Sequence, residues 1–254
     1  MTMNPMAQFA VRPLVPLHIG HYDVSFTNQS LWMFIAVGAA SLFFYLAATS
    51  RSLVPSRMQS IAELSYEFVG NMIHSAAGED GLRFFPFVFT IFMFVLLSNF
   101  LGLIPGSFTV TSQIAVTFAL AVVVILTVIL TGFLTHGIGF LKLFVPEAPI
   151  YLLFLLVPIE IISFFTRPVS LSVRLFANML AGHTMLKVFA GFIIALGATL
   201  VGPKPWFAPL SIAPLFLEIA IYALEFLVAF LQAYVFAILT CIYLNEALHL
   251  HDSH

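Results

Sequence analysis

Arg174 lies in SLSVRLFANML, inside an apolar run that extends from Pro149 to Leu200. An arginine at the centre of a membrane helix costs about 2.5–3.5 kcal/mol on insertion scales. It cannot escape that cost by deprotonating, because a guanidinium stays charged at any workable pH. A permanent positive charge held at such a place marks a functional site and demands an anionic partner.

The other buried-sequence polar groups concentrate near it. The same run carries Glu160, Arg167, Asn178, His183 and Lys187, and the next apolar run carries Glu218, Glu225 and Gln232. Steps of seven separate Glu218, Glu225 and Gln232, so on a helix they share one face with a drift of only about 20° per step. Tyr222, four after Glu218, lies on the same side. Arg174 and Asn178, four apart, also share a face. His183 is nine residues after Arg174, about half a turn round, so the two should look in different directions. Glu160 is close to the Arg174 face but about 21 Å away along the axis. Carboxylates, a histidine and a fixed cation are the parts of a proton path. Glu and His carry protons, whereas Arg174 can act only as an electrostatic gate.

A static reading competes: the polar groups simply pair between helices, at about 0.6 kcal/mol each on average. That reading suits Asn99, Gln113 or Ser163 taken singly better than it suits the hairpin cluster. A metal site in the tail, from His249, His251 and His254, lacks a fixed geometry, and no metal or other cofactor is expected. Cys241 is the lone cysteine and supports neither a disulfide framework nor a thiolate metal site. No nucleophile motif suggests a hydrolase. No phosphate-binding Gly-rich loop suggests nucleotide chemistry by this chain.

The elements that must carry these groups are membrane helices. The 254 residues are 61% hydrophobic and 8% charged, with a net charge of −2 and a mean hydropathy of +1.09. Globular chains carry roughly 25% charged residues, and no basic stripe points to nucleic acid. The expectation is one all-α integral membrane domain. Residues 1–30 form an N-terminal segment without the pattern of a cleaved leader. Spans are predicted at 31–50, 84–104 and 111–135, each near the 20 residues a crossing needs. Residues 58–77 place Ile61, Leu64, Phe68, Val69, Met72 and Ile73 at helical spacing, with Glu63, Glu67, Asn71 and His74 opposite. They read as an amphipathic helix, lying at the membrane interface or packed on the protein's own spans.

The stretches 149–200 and 206–248 are too long to stand upright. A helix of about 50 residues measures about 75 Å against a hydrocarbon core of about 30 Å. One long, tilted element bent by Pro158 and Pro168 is expected for the first. Gly202-Pro203-Lys204-Pro205 turns it into a hairpin with the second. Arg51, Arg57, Arg83 and Lys142 fall on one side and Arg12 and Lys204 on the other. The Lys/Arg bias then predicts five crossings with the N-terminus outside and the C-terminus in the cytoplasm.

PVSLSVRLFANMLAGH resembles the signature of subunit a of the rotary F-type ATP synthase. NFLGLIP and FLQAYVFAILTCIYL resemble that family's other recurrent segments, and the resemblance covers residues 31 to 248. It implies a long tilted hairpin against a ring of c subunits, with peripheral-stalk b-type subunits and membrane lipid as further partners. It also implies that Arg174 faces a ring carboxylate and separates two aqueous half-channels. Asn178 and Gln232 match polar residues beside that arginine, and Glu160 matches an acid toward the cytoplasmic end. The family places an interacting acid and histidine at the positions of His183 and Glu225, in either arrangement. With the orientation above, His183 is about 13 Å outward of Arg174. Glu218 and Asn99 then fall toward the outer channel mouth. Some members carry an acid where this chain has Gly102.

A self-contained ion channel or secondary transporter is the alternative. That class often shows inverted repeats, and none is evident here. A scaffold whose polar groups only join helices is a third reading. Both a bacterial plasma membrane and a mitochondrial inner membrane host this family, and the bacterial one is the expectation.

Overall fold

A computed structural model describes residues 9–16, 18–19, 22–23, 25–49, 55–104, 106–144, 150–198 and 212–248. The predicted hairpin link 202–205, the His-rich tail and Arg51 lie outside these residues, as does the start of the predicted 206–248 stretch. Among the described residues, six α-helices follow a short N-terminal β-structure: α1 (Asn28–Thr49), α2 (Arg57–Ala77), α3 (Phe85–Gly102), α4 (Ile114–His136), α5 (Ile150–Gly197) and α6 (Ile212–Leu248). Five helical segments are long and apolar enough to cross a membrane, and α2 is not among them. This is the all-α membrane architecture that the composition predicts.

The N-terminal segment holds more structure than its sequence suggested. Strand β1 (Pro13–Val15) pairs antiparallel with β4 (Phe26–Thr27), and β2 (His18–Ile19) pairs with β3 (Tyr22–Asp23). The pairing is anchored where α1 begins. The Asn28 side chain accepts from the Arg12 amide at 3.0 Å and donates to the Ala10 carbonyl at 3.2 Å. Strands of two or three residues carry no alternating apolar pattern, so no periodicity could reveal them.

The uncharged α1 fully buries only Ala36 and Ala47, packs Phe44 against the core and leaves much of its apolar surface outward. Ser56 caps α2, accepting from the Gln59 amide at 3.3 Å, and Gly78 ends it at φ 63°, a conformation that glycine takes without steric cost. The packing of α2 on the protein's own spans is what the structure shows. Its C-terminal half buries Val69, Met72, Ile73 and Ala77 in the bundle, whereas Ile61 and Leu64 nearer its start stay exposed.

The loop after α3 departs from expectation. The predicted span 111–135 begins instead at Ile114, and Val110–Ser112 form a 3-10 turn. Residues 108 to 112 are all buried, so this segment folds back into the bundle. Irregular backbone at membrane depth is tolerated only where protein buries it. Here its polar groups are bonded. Ser107 Oγ donates to the Gly102 and Ile104 carbonyls, and Ser112 Oγ donates to the Thr109 carbonyl at 2.6 Å.

Helix α5 runs unbroken for 48 residues through Pro158 and Pro168, a length of about 72 Å that forces a tilt. Its packed face follows steps of three and four: Phe164, Pro168, Leu171, Leu175, Met179 and His183. The packed face of α6 does the same through Glu225, Ala229, Ala233, Ala237, Cys241 and Leu244. The alanines let a neighbouring helix approach closely, as small residues do in membranes. Toward the end of α5 near Ile150 and of α6 near Leu248, Arg167 pairs with Glu246. The Arg167 guanidinium also lies 5.3 Å from the Tyr243 ring centroid and 6.0 Å from that of Phe164. His136, at the end of α4, bonds the Leu248 carbonyl at 2.9 Å and so ties the same end of α6.

Removing either half of the Arg167–Glu246 pair strands the other charge. Arg167→Leu and Glu246→Leu should each lower the unfolding temperature of the detergent-solubilised protein. The double variant should lose less than the sum, with a coupling of about 1 kcal/mol given the partial exposure of both groups.

Candidate functional site

The sequence-predicted polar residues divide between two faces of α5. Arg174 and Asn178 lie on the exposed face, beside the small residues Ser170, Ala177 and Ala181. Arg174 makes no hydrogen bond or ion pair with any described residue. His183 continues the packed face one turn beyond Met179 and is buried. The half-turn offset read from the spacing of Arg174 and His183 is therefore what the helix presents.

Glu225 is 2% exposed and meets His183, with 3.6 Å between its Oε1 and the histidine Nε2. Both carboxylate oxygens are buried and without a hydrogen bond among the described residues. A buried carboxylate left this bare is costly if ionised and unpaired. A single proton on the pair can be held either as a neutral acid and base or as carboxylate and imidazolium. Both arrangements have the same net charge, so transfer between them moves no charge into or out of the pocket.

Gly182 makes the meeting possible. A Cβ there would stand 2.5 Å from Glu225 Oε1 and 2.8 Å from its Cδ. The carboxylate occupies the space that a side chain would otherwise fill.

The re-entrant segment closes the pocket from the other side. Thr109 Oγ1 is 3.1 Å from His183 Nε2. Thr111 Oγ1 donates to Asn99 Oδ1 at 2.7 Å, and Asn99 Nδ2 donates to the Ala229 carbonyl at 3.0 Å, one turn beyond Glu225. Tyr222 OH donates to the Leu103 carbonyl at 3.2 Å. The Phe9 ring meets the His183 imidazole edge-on at 6.5 Å, and Gln113 Nε2 holds the Phe9 carbonyl at 2.9 Å.

Asn99 was expected near an outer mouth. It is instead fully buried, with both ends of its amide engaged, because the re-entrant segment covers the end of α3. Gly102 is glycine for a local reason: a Cβ would come within 2.8 Å of Thr109 Cγ2. Thr109 fills the space where a side chain at position 102 would stand.

Glu218, Gln232 and Glu160 are half-buried. Glu218 and Glu160 have no hydrogen bond or ion pair among the described residues. Glu225 sits deeper than its seven-residue neighbours because the packed face of α6 drifts along steps of four. Thr109, Thr111 and Gly182 escaped the sequence reading. The polar run Thr109 to Gln113 beside a span, and a glycine adjoining a membrane histidine, were the available signals. No group of three or more His, Cys, Asp or Glu suited to a metal occurs among the described residues.

The ATP synthase A chain family model matches residues 30–245. The chain belongs to this family. It is 61% identical over 250 residues to ATP synthase subunit a of Chelativorans sp. (strain BNC1), covering 98% of this chain and 99% of that one. Identity is 59% over 249 residues to ATP synthase subunit a of Mesorhizobium japonicum, covering 97% of each. It is also 59% over 253 residues to that of Rhizobium meliloti (strain 1021), covering 98% of each. The family match spans all the site residues named above except Phe9.

Gly182→Ala should drive the Glu225 carboxylate from its pocket and destabilise the protein by about 1–3 kcal/mol, as overpacking does. Gly197→Ala, where a Cβ meets nothing within 4 Å, should leave thermal unfolding unchanged. Melting curves of the two purified variants against the parent test the contrast.

Proposed function

We propose that the chain is the proton-translocating stator subunit of an F-type ATP synthase, the role that the name of its relatives supports. One observation carries the mechanism: Arg174 turns its permanent charge to the outside of the bundle, without a partner among the described residues. At membrane depth such a charge needs an acid, and because the described residues offer none on that face, we assign the acid to another chain. A ring of c subunits bearing one carboxylate each meets that need. The small residues flanking Arg174 suit the close passage of a ring helix.

A proton then enters by a half-channel from the outside, neutralises a ring carboxylate and leaves by a second half-channel to the cytoplasm. When the carboxylate returns to Arg174, the opposite charge favours its ionised form and drives release. Arg174 also keeps the two half-channels apart. Asn178 and Gln232 orient beside it. The His183–Glu225 pair belongs to the outer half-channel, with Glu218 toward its mouth and Asn99 as a buried strut. Glu160 lies on the path to the cytoplasm.

The Lys/Arg bias puts the N-terminus outside and the C-terminus in the cytoplasm of a bacterial inner membrane. The whole chain acts as one membrane domain. Peripheral-stalk b-type subunits are further partners. A groove of about 450 Å³ between α1, α3 and α4, lined by Val37, Phe44, Phe94 and Leu120 among others, suits a transmembrane helix of that stalk. Nucleotide chemistry belongs to the rest of the complex.

Arg174→Ala, in membranes where the assembled complex is confirmed intact, should abolish ATP-driven proton pumping and raise the passive proton leak. Normal coupled pumping would return Arg174 to a helix-packing role.

A further inference from the structure

Thr109 is a neutral side chain from a loop, yet it reaches the Nε2 of His183 that faces Glu225. Its place is over-determined. The Thr109 carbonyl accepts from Ser112 Oγ at 2.6 Å. The Thr109 methyl fills the space that Gly102 leaves open. With the methyl seated against Gly102, the hydroxyl is directed to His183 Nε2 at 3.1 Å, with the Gly102 carbonyl 3.5 Å away.

A threonine hydroxyl has one proton to donate and two lone pairs to accept with. When Nε2 is bare, the hydroxyl donates to it. When Nε2 carries a proton, the oxygen accepts from it and the hydroxyl proton turns to the Gly102 carbonyl. His183 therefore keeps a partner in both states without moving its ring. The carboxylate of Glu225, at 3.6 Å from the same nitrogen, is too distant for a hydrogen bond of ordinary geometry and does not hold the ring by itself.

We propose that Thr109 is a positioning residue for the His183–Glu225 pair, its hydroxyl holding the imidazole beside Glu225 in either protonation state of Nε2. The proposal rests on the His183–Glu225 pair serving the outer half-channel. Few other groups compete for the imidazole. Among the described residues, the charged and titratable groups around the pocket are Glu225 and Tyr222 from α6, and Lys187 from its own helix. Tyr222 is committed to the Leu103 carbonyl. From α3 and the re-entrant segment come the neutral groups Asn99, Thr109 and Thr111, and from the N-terminal segment the Phe9 ring.

The test uses Thr109→Val, which preserves the packed shape and removes the hydroxyl, and Thr109→Ser, which restores the hydroxyl. ATP-driven proton pumping is followed from acid to alkaline pH in membranes carrying the assembled complex, with Arg174→Ala alongside. Thr109→Val should pump about three- to ten-fold more slowly, the effect of one net hydrogen bond, with a displaced pH profile. Thr109→Ser should recover at least half the parent rate and the parent profile. If Thr109→Val fails to assemble, Thr109→Ala carries the same expectation.

A parent rate and profile in the hydroxyl-less variant would overturn the proposal. So would an equal loss in Thr109→Ser and Thr109→Val with an unchanged profile, which would assign the effect to the methyl packing. Loss of pumping in Arg174→Ala beside a normal Thr109→Val would sink the Thr109 role alone. Normal pumping in both would sink the half-channel reading itself.

Discussion

A guanidinium that cannot be neutralised, on a helix surrounded by apolar residues, constrains everything around it. Arg174 cannot be buried against α6 without a carboxylate to meet it, and the carboxylate of Glu225 faces His183 instead. The cation therefore lies on the outward face of α5, while the buried acid and base lie on the inward face. The fixed cation and the buried acid–base pair are thus kept on opposite sides of one helix.

The inward pocket depends on two absences of side chain. Gly182 leaves room for the Glu225 carboxylate, and Gly102 leaves room for the Thr109 methyl. Close approach in a membrane bundle comes from small residues more than from hydrophobic driving force. Here that closeness is used twice to bring a polar group against a neighbouring helix. The alanines of α6 extend the same principle along the interface, and the Arg167–Glu246 pair holds the opposite end of the two helices. Tilt, register and site geometry therefore form one packing problem.

The re-entrant segment does what a straight span could not. A regular helix beginning at Thr111 would point its polar residues into lipid or away from α5. Folding 108–112 into the bundle places Thr109 at the histidine and Thr111 at Asn99, and it satisfies the exposed backbone within protein. The N-terminal segment reaches the same pocket through Phe9. Lengthy loops and termini are thereby part of the site, although the helices carry its charges.

Length and apolarity by themselves established the membrane class and the segments long enough to cross, because a bilayer imposes one thickness on every span. Helical arithmetic by itself put Arg174 and His183 on different faces, because 3.6 residues per turn is a property of the backbone. The pairing of His183 with Glu225 entered through family resemblance, since no spacing within a helix says which neighbour it meets. The inward seat of Glu225, the amide contacts of Asn99, the hydroxyl of Thr109 and the open spaces at Gly102 and Gly182 were decided only by tertiary packing. Each depends on how far a helix is rotated and how closely another approaches. Those quantities arise from all the side chains of an interface together and are written in no single segment.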